Sequence, residues 1–473
     1  MGNVNETCTN VLKYVHANYS KKITLRDIAR TLYTNPAYLG RIFAKQYGIS
    51  FDDYLIAYRI RIALWLLKQH ENMLVIDVSK AVGYPNTNYF YRVFKKHTGV
   101  TPTQYRLDAR LMLSSEYQMA LKISKDQNRA YGSSDGSIVH EIDLPVKYPD
   151  CMGSALLTKE GIVLYCYIER SEHNVFSFLC IESADDGVTW KNSRVLFQEK
   201  KYSYIFGLNM IDMLDGSLGL FYFCSDEKTH AMLFLRKSLD GGHTWTDAQC
   251  CLRLVYGYQA LNGRMIRLHS GRLILPLSRP VINSDLSQHQ QVICHYYSED
   301  DGNSWVPAQN NISMMTCHSI AGMKYPMVLE LGDSALLGLA ATELGRQYEY
   351  SSNNEGVSWT SPLPSYFTSP LAAVHVVSLK DKKLLAVLNP VPDFFNGGIT
   401  PRNRLVYCVS FNQGKSWSRA FLLDESQQAQ PVAFRNPYIY VARESVLFVY
   451  QRIRKELSQI VLRRLDLSLL QEA

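Results

Sequence analysis

No stretch of this 473-residue sequence runs apolar for the roughly 18 residues that a membrane span requires. The N-terminus, MGNVNETC, lacks the charged-then-apolar order of a secretory signal. Glu6 also stands where a myristoylation signal needs Ser or Thr. The ten cysteines form no C-x-x-C pair and no regular framework, which argues against structural zinc and a disulfide scaffold. The adjacent Cys250 and Cys251 read as buried strand filler. These absences lead to the expectation of a reduced, cytoplasmic protein with no metal, no cofactor and no membrane partner.

What is present is uneven. The net charge is +7, yet residues 1–110 hold 16 Lys and Arg against 7 Asp and Glu, and the remainder holds 34 against 36. All of the excess positive charge sits in the first quarter, which suits a polyanion partner for that part alone. A merely solvated basic surface satisfies the same numbers. A chain of this length with 47% hydrophobic residues suits two or three domains with full cores.

Residues 11–106 read as helices, with few glycines and apolar spacing near 3.6. They contain a repeat. Asp27-Ile28-Ala29 lines up with Asp77-Val78-Ser79, and Tyr38-Leu39-x-Arg41-x-Phe43-x-Lys45 with Tyr89-Phe90-x-Arg92-x-Phe94-x-Lys96. Gly48 lines up with Gly99. Each copy predicts a short helix (25–32, then 76–82), a turn (33–36, then 83–86) and a second helix. That second helix turns Leu39, Ile42 and Phe43, or Phe90, Val93 and Phe94, inward. Its outer face is basic, with Arg41 and Lys45, or Arg92, Lys95 and Lys96, as entry into a DNA major groove requires. Between the copies, residues 51–70 predict one helix about 30 Å long, close to the ~34 Å turn of B-DNA. Leu64, Trp65 and Leu67 on it are expected in the core.

These residues, with Tyr58-Arg59-Ile60, Val82-Gly83-Tyr84 and Thr101-Pro102-x-x-Tyr105-Arg106, resemble the AraC/XylS family of regulators over about 100 residues in order. The resemblance implies double-stranded promoter DNA as partner. It places base-reading positions at Asn35, Ala37, Tyr38 and Arg41 in the first unit, and at Asn86, Thr87, Asn88 and Arg92 in the second. Arg can pair bidentately with guanine and Asn with adenine. Lys45, Lys95 and Lys96 are expected on phosphates. Tyr38 and Tyr89 fit half-buried packing equally well. The family usually carries this module at the C-terminus, after a sensor; here it comes first.

Helical periodicity stops at a polar stretch, 109–137. From about 138, short alternating apolar runs such as 161–168 and 446–452 predict strands. Five copies of one motif punctuate them: Ser183-x-Asp185-x-Gly187-x-Thr189-Trp190, Ser238-x-Asp240-x-Gly242-x-Thr244-Trp245, Ser298-x-Asp300-x-Gly302-x-Ser304-Trp305, Ser352-x-Asn354-x-Gly356-x-Ser358-Trp359 and Ser410-x-Asn412-x-Gly414-x-Ser416-Trp417. The spacings are 55, 60, 54 and 58 residues, which indicates radial blades of several strands each. In the motif an Asp or Asn takes backbone hydrogen bonds, Gly supplies a positive φ and Trp packs the turn. About 333 residues give six such blades, and a strand near 138–144 could help close the last.

The pattern resembles the Asp-box repeats of sialidases. The expected fold is therefore a multidomain α plus all-β chain. It has an all-α double helix-turn-helix domain at 8–108, a linker at 109–137 and a six-bladed β-propeller of the sialidase type at 138–473. The resemblance implies three arginines gripping a substrate carboxylate, a Tyr–Glu nucleophile pair and an Asp acid/base. Where the first arginine belongs, in the segment Cys151-Met152-Gly153-Ser154, stands Met152. Tyr325-Pro326 stands where relatives carry Glu-Pro. Phe434-Arg435-Asn436-Pro437 has the look of the missing motif, but it falls in the last blade and is set aside. Arg170, Arg264, Arg346 and Arg404 are the candidate ligand-binding residues, each of which could instead be a salt-bridged strand-end residue.

No catalytic residue is assigned. The leading expectation is a DNA-binding transcriptional regulator whose propeller binds a sugar or another anion without hydrolysing it. The alternatives are a cytoplasmic sialidase-like glycoside hydrolase fused to a DNA-binding module, and a propeller that docks another protein.

Overall fold

The protein is described by a computed structural model. The structure describes residues 18–47, 50–69, 73–98, 101–106, 138–144, 152–171, 175–225, 230–255, 257–280, 291–313, 322–332, 334–342, 346–390, 402–426, 432–453 and 458–470, with single positions at 7, 10, 11, 14, 15 and 173. The expected linker 109–137, the start of the first domain at 8, Glu6, Gly48, Gly99 and Cys151 lie outside the described residues. So do the side chains of Lys45, Leu64, Trp65 and Arg346.

The helical unit contains α1 (Leu25–Thr31), α2 (Pro36–Tyr47), α3 (Phe51–Gln69), α4 (Val75–Ala81) and α5 (Thr87–Thr98). Their starts are local chemistry. Thr24 and Asp27 form a capping box on α1, the Asp27 amide donating to Thr24 Oγ1 at 3.3 Å and the Thr24 amide to Asp27 at 2.9 Å. At the start of α3 the Asp53 amide donates to Ser50 Oγ at 3.1 Å, and Ser50 Oγ donates to Asp53 Oδ2 at 2.7 Å.

Each helix pair closes over its own core. Ile28, Leu39, Phe43, Phe51, Leu55 and Tyr58 fill the first, and Ile60, Ala63, Leu67, Val78, Phe90 and Phe94 the second. α3 therefore spends its first half on one core and its second half on the other. Arg59 staples the two halves: Nε donates to Tyr19 O at 2.8 Å and Nη2 to Lys21 O at 2.7 Å, while the guanidinium lies 5.2 Å from the Tyr84 ring centroid.

The propeller consists of six four-stranded antiparallel sheets. Blade 1 comprises Ser154–Leu157, Val163–Arg170, Phe176–Ser183 and Lys191–Glu199; blade 2, Tyr204–Asp212, Leu218–Ser225, His230–Ser238 and Gln249–Val255. Blade 3 comprises Ile266–Arg267, Leu273–Pro280, Gln291–Ser298 and Val306–Pro307; blade 4, Lys324–Gly332, Ala335–Ala341, Arg346–Ser352 and Leu363–Thr368. Blade 5 comprises His375–Ser378, Leu384–Leu388, Arg404–Ser410 and Phe421–Glu425. Blade 6 comprises Ala433–Val441, Ser445–Ile453 and Ser458–Asp466, and takes Ile138–Leu144 as its fourth strand. That last pairing runs from Ile138 opposite Arg464 to Leu144 opposite Ser458, so the two ends of the propeller sequence share one sheet. Apolar residues of neighbouring blades fill the spaces between sheets, as where Leu156, Leu164 and Phe178 of blade 1 meet Met210, Leu220 and Tyr222 of blade 2.

All five repeated motifs sit in the hairpin between third and fourth strands. In each, the Gly amide donates to the leading Ser Oγ at 2.8–2.9 Å, and the Thr or Ser amide donates to Asp or Asn Oδ1 at 2.8–3.0 Å. Trp245, Trp305 and Trp359 donate their indole N–H to the Gly carbonyl at 3.1 Å. Blade 6 has no such hairpin because its third and fourth strands come from opposite ends of the propeller sequence, so there is no place for a sixth motif.

In three of the motifs the residue after the Asp or Asn reaches the preceding blade. Asp186 accepts from the Arg443 and Glu444 amides of blade 6, Asp301 from the Leu214 amide of blade 2, and Gln413 donates to Leu331 O of blade 4. Cys250 and Cys251 differ from expectation. They lie half-buried in the outer strand of blade 2, because an outer strand has only one neighbouring strand.

Candidate functional site

In the helical unit the candidate residues lie on the outer faces of α2 and α5. Leu39 and Phe43, and Phe90, Val93 and Phe94, point into the two cores, with Ile42 packed beside them. This fixes the rotation of each helix and turns Ala37, Tyr38 and Arg41, and Asn88, Arg92, Lys95 and Lys96, to the exterior; Thr87 is half-buried. Tyr38 and Tyr89 are 43% and 46% exposed, and the Arg92 guanidinium lies 5.7 Å from the Tyr89 ring centroid. Neither helix has an acidic residue in its first turn, so the positive end of each helix dipole faces outward unopposed.

Asn35 and Asn86 stand at the helix starts, where their side-chain oxygens meet backbone amides. Asn35 Oδ1 accepts from the Ala37 and Tyr38 amides at 2.9 and 3.1 Å, and Asn86 Oδ1 from the Tyr89 amide at 2.9 Å. Both oxygens cap their helices, Asn35 Oδ1 with two backbone partners and Asn86 Oδ1 with one. The spacing of the motif could not separate a cap from a base reader, since both roles favour Asn at the helix start.

In the propeller, the strand order places Arg170, Arg264, Arg346 and Arg404 at the same end, opposite the Asp-box hairpins. Their radial positions differ. Arg170 ends a second strand, its guanidinium 5.1 Å from the Phe176 ring centroid and 5.8 Å from that of Tyr204. Arg404 begins a third strand and is salt-bridged to Glu425, the bland reading of a strand-end arginine. Arg346 begins the third strand of blade 4.

Among the described candidate side chains, Arg264 alone stands at the axis. It precedes the inner strand of blade 3, and its Nη2 donates at 2.7 Å to Pro437 O of blade 6, the opposite blade of the ring. Beside it, Gly263 lies against the Tyr438 ring so closely that a Cβ there would sit 2.4 Å from Tyr438 Cε2.

Around this contact the inner strands are stitched by polar side chains. Ser154 Oγ accepts from the Met210 amide, Asn209 Oδ1 from the Met265 amide, Asn262 Oδ1 from the Leu208 amide and His375 Nδ1 from the Ile439 amide, at 2.7–3.0 Å. A small cavity remains, lined by Met152, Gly153, Leu261, Asn262, Arg264, Asn436 and Tyr438. Met152 is 1% exposed, a packed thioether where the family resemblance places an arginine.

The segment set aside as lying in the wrong blade is thus part of the cavity, because opposite blades meet at the axis. Tyr438 was not singled out by the sequence. Burial pushes its pKa up, with Ser154 and the Arg264 charge acting the other way, and no carboxylate among the described residues is among the groups that shift it. His375 is held neutral by burial and by the Arg264 charge. Among the described residues no group of His, Cys, Asp and Glu could hold a metal ion. No helix among them is long and apolar enough to cross a membrane.

Comparison with known proteins separates the two parts. The helix-turn-helix domain family matches residues 28–108, and the BNR repeat-like domain family matches residues 206–449, more than half of the chain. An HTH-type transcriptional regulator of Bacillus subtilis (strain 168) is 40% identical over 104 residues, 22% of this chain and 13% of that protein. The lactose operon transcription activator of Staphylococcus xylosus is 33% identical over 103 residues, 22% of this chain and 37% of that protein. The chain thus spans well under half of either relative. A Hadza microbial sialidase shares the propeller fold with a TM-score of 0.51 at 14% identity, covering 69% of each chain. Trypanosoma rangeli sialidase in complex with sialic acid also gives 0.51 at 13% identity, covering 71% of this chain and 60% of that one.

Proposed function

Since the chain belongs to the BNR repeat-like family and carries a helix-turn-helix domain of the AraC type, we propose that it is a sequence-specific DNA-binding transcriptional regulator whose propeller senses a glycan-derived or other anionic ligand. The observation that carries the DNA-binding half is the pair of recognition helices. Each is anchored by an apolar inner face and shows an exposed cationic outer face with no acid at its N-terminus. In this reading Arg41 and Arg92 read bases, with Ala37, Tyr38, Thr87 and Asn88 beside them. Asn35 and Asn86 hold the helix ends against the backbone, and Lys45, Lys95 and Lys96 take phosphates. The linker 109–137 joins this domain, at 8–108, to the propeller at 138–473.

The sensing half rests on what the axis offers. Met152 cannot grip a carboxylate, Arg404 is paired with Glu425, and among the described residues no carboxylate acts on Tyr438 to make it a nucleophile. These features support binding rather than turnover. Measurable hydrolysis of a fluorogenic sialoside by the intact protein would replace the sensor with a hydrolase.

The test of the DNA-binding half is a gel-shift titration on an operator selected from fragmented genomic DNA. Arg92→Ala is expected to weaken the specific complex by roughly 5- to 100-fold and to relax the base preference at one position. Lys96→Ala is expected to weaken all sequences alike and to reduce the salt slope by about 1. Absence of any specific complex at moderate salt ends the reading.

A further inference from the structure

The propeller axis contains a cation with no counter-charge. Arg264 is 2% exposed, and of its three guanidinium nitrogens only Nη2 has a partner, the neutral Pro437 carbonyl. Nε and Nη1 are buried without a hydrogen-bond partner. Among the described residues no Asp or Glu forms an ion pair with it, and the titratable group that favours its charge is the Tyr438 hydroxyl, itself kept neutral by burial. Burial pushes the Arg264 pKa down to about 9, which reflects how poorly its surroundings replace water.

A guanidinium in this position costs several kcal/mol unless something negative meets it. The adjoining cavity is built for a small guest. It offers about 10 Å³, room for one particle near the size of a water and too little for a sugar carboxylate with its ring. Besides Arg264 its polar wall consists of the Asn262 and Asn436 amides and the Tyr438 hydroxyl. Asn262 already uses its oxygen on the Leu208 amide, so its Nδ2 is the group left to donate. The Tyr438 hydroxyl is kept protonated by burial, so it has a proton to offer. Among the described residues no carboxylate lines the space. Donors from Arg264, Asn262 and Tyr438 around an unpartnered cation favour an anion over water.

We propose that the cavity beside Arg264 is a binding site for a single small inorganic anion of halide size, which neutralises Arg264 and locks blades 1, 3 and 6 together at the axis. The site lies at the axis on which the proposed sensing rests, and it deepens that reading by naming the ligand as a small inorganic anion.

The test uses the full-length protein. Sodium chloride is titrated against sodium gluconate at constant ionic strength, and the unfolding midpoint of the propeller transition is followed by calorimetry. A saturable rise of about 2 °C at a tenfold excess of chloride over its dissociation constant is expected, with bromide acting like chloride. Arg264→Met should remove the halide dependence. Should that variant fail to fold, a crystal of the unaltered protein grown in sodium bromide answers the question, with an anomalous peak beside the Arg264 guanidinium as the supporting result. A midpoint indifferent to which anion is present, or water alone in the cavity of the bromide crystal, overturns the proposal. A failed gel shift would leave it untouched.

Discussion

Tyr33 and Gly83 occupy the same place in the two helix-turn-helix repeats, and both backbones have positive φ, 50° and 83°. The glycine adopts this region freely; the tyrosine is strained by roughly 1–2 kcal/mol. The neighbours explain why the two differ. A Cβ on Gly83 would lie 2.7 Å from Tyr19 O, whereas Tyr33 is 98% exposed and meets no such obstacle. Gly83→Ala is therefore expected to destabilise the helical unit by roughly 2–3 kcal/mol, from the close contact added to the strain. Tyr33→Gly is expected to raise its stability by up to about 1 kcal/mol. Urea unfolding followed by helix circular dichroism checks both, and a Gly83→Ala variant as stable as the parent would refute the account. The alignment of the repeats made the equivalence of these two positions visible. It could not reveal that only one of the two turns packs against residues 19–20, because that contact is long-range.

At the scale of the element, the Asp-box hairpin has two chemical versions in one chain. In the first three copies Asp takes the hydrogen bonds, and in the last two Asn does so while donating Nδ2 to Ser358 or Ser416 Oγ. Hydrogen bonds from Thr189 and its amide pull the Asp185 pKa down to about 2, and Asp240 and Asp300 are shifted in the same direction. A folded-state pKa below the unfolded value contributes stability that is complete above about pH 4 and is lost as pH falls through about 2. These carboxylates are close to the surface, so solvent screening keeps each contribution small. The combined variant Asp185→Asn, Asp240→Asn, Asp300→Asn should keep its hairpins, as blades 4 and 5 do. Its midpoint at pH 7 should be slightly lower, and its loss of stability between pH 4 and 2.5 shallower than the parent's. Equal acid sensitivity in the two proteins would show that the boxes do not carry this titration. The boxes were fully legible in the sequence because each is a local turn whose donors and acceptors lie within eight residues.

At the scale of the molecule, ring closure depends on Ile138–Leu144. This strand pairs with the last strand of the chain, and Arg452 beside it holds Glu141 of the closing strand and Asp424 of blade 5. Asp424 also accepts from Tyr450, and both Arg452 and Asp424 are largely buried. Removing the guanidinium leaves two carboxylates without their shared partner. Arg452→Met should cost roughly 2–3 kcal/mol, somewhat below the loss for a fully buried pair. Its effect should appear first as faster amide hydrogen exchange in 138–144, read by mass spectrometry of that peptide. Unchanged exchange there, with stability lost elsewhere, would place the energetic role of Arg452 in blade 5 and not in closure.

The sequence by itself determined the parts whose physics is local or periodic. Apolar spacing with a basic outer face set the tandem helix-turn-helix units, and Asp-box turns every 54 to 60 residues set the number of blades. Tertiary structure alone decided what happens where distant segments meet. It made Asn35 and Asn86 caps, since a cap and a base reader look alike until the helix start is built. It paired Arg404 with Glu425 and buried Arg264 across the axis against Pro437. It also brought the last blade's Asn436 and Tyr438 to the first blade's Met152. Contacts between blades 1, 3 and 6 have no trace in local spacing, because ring closure creates them and chain neighbours do not.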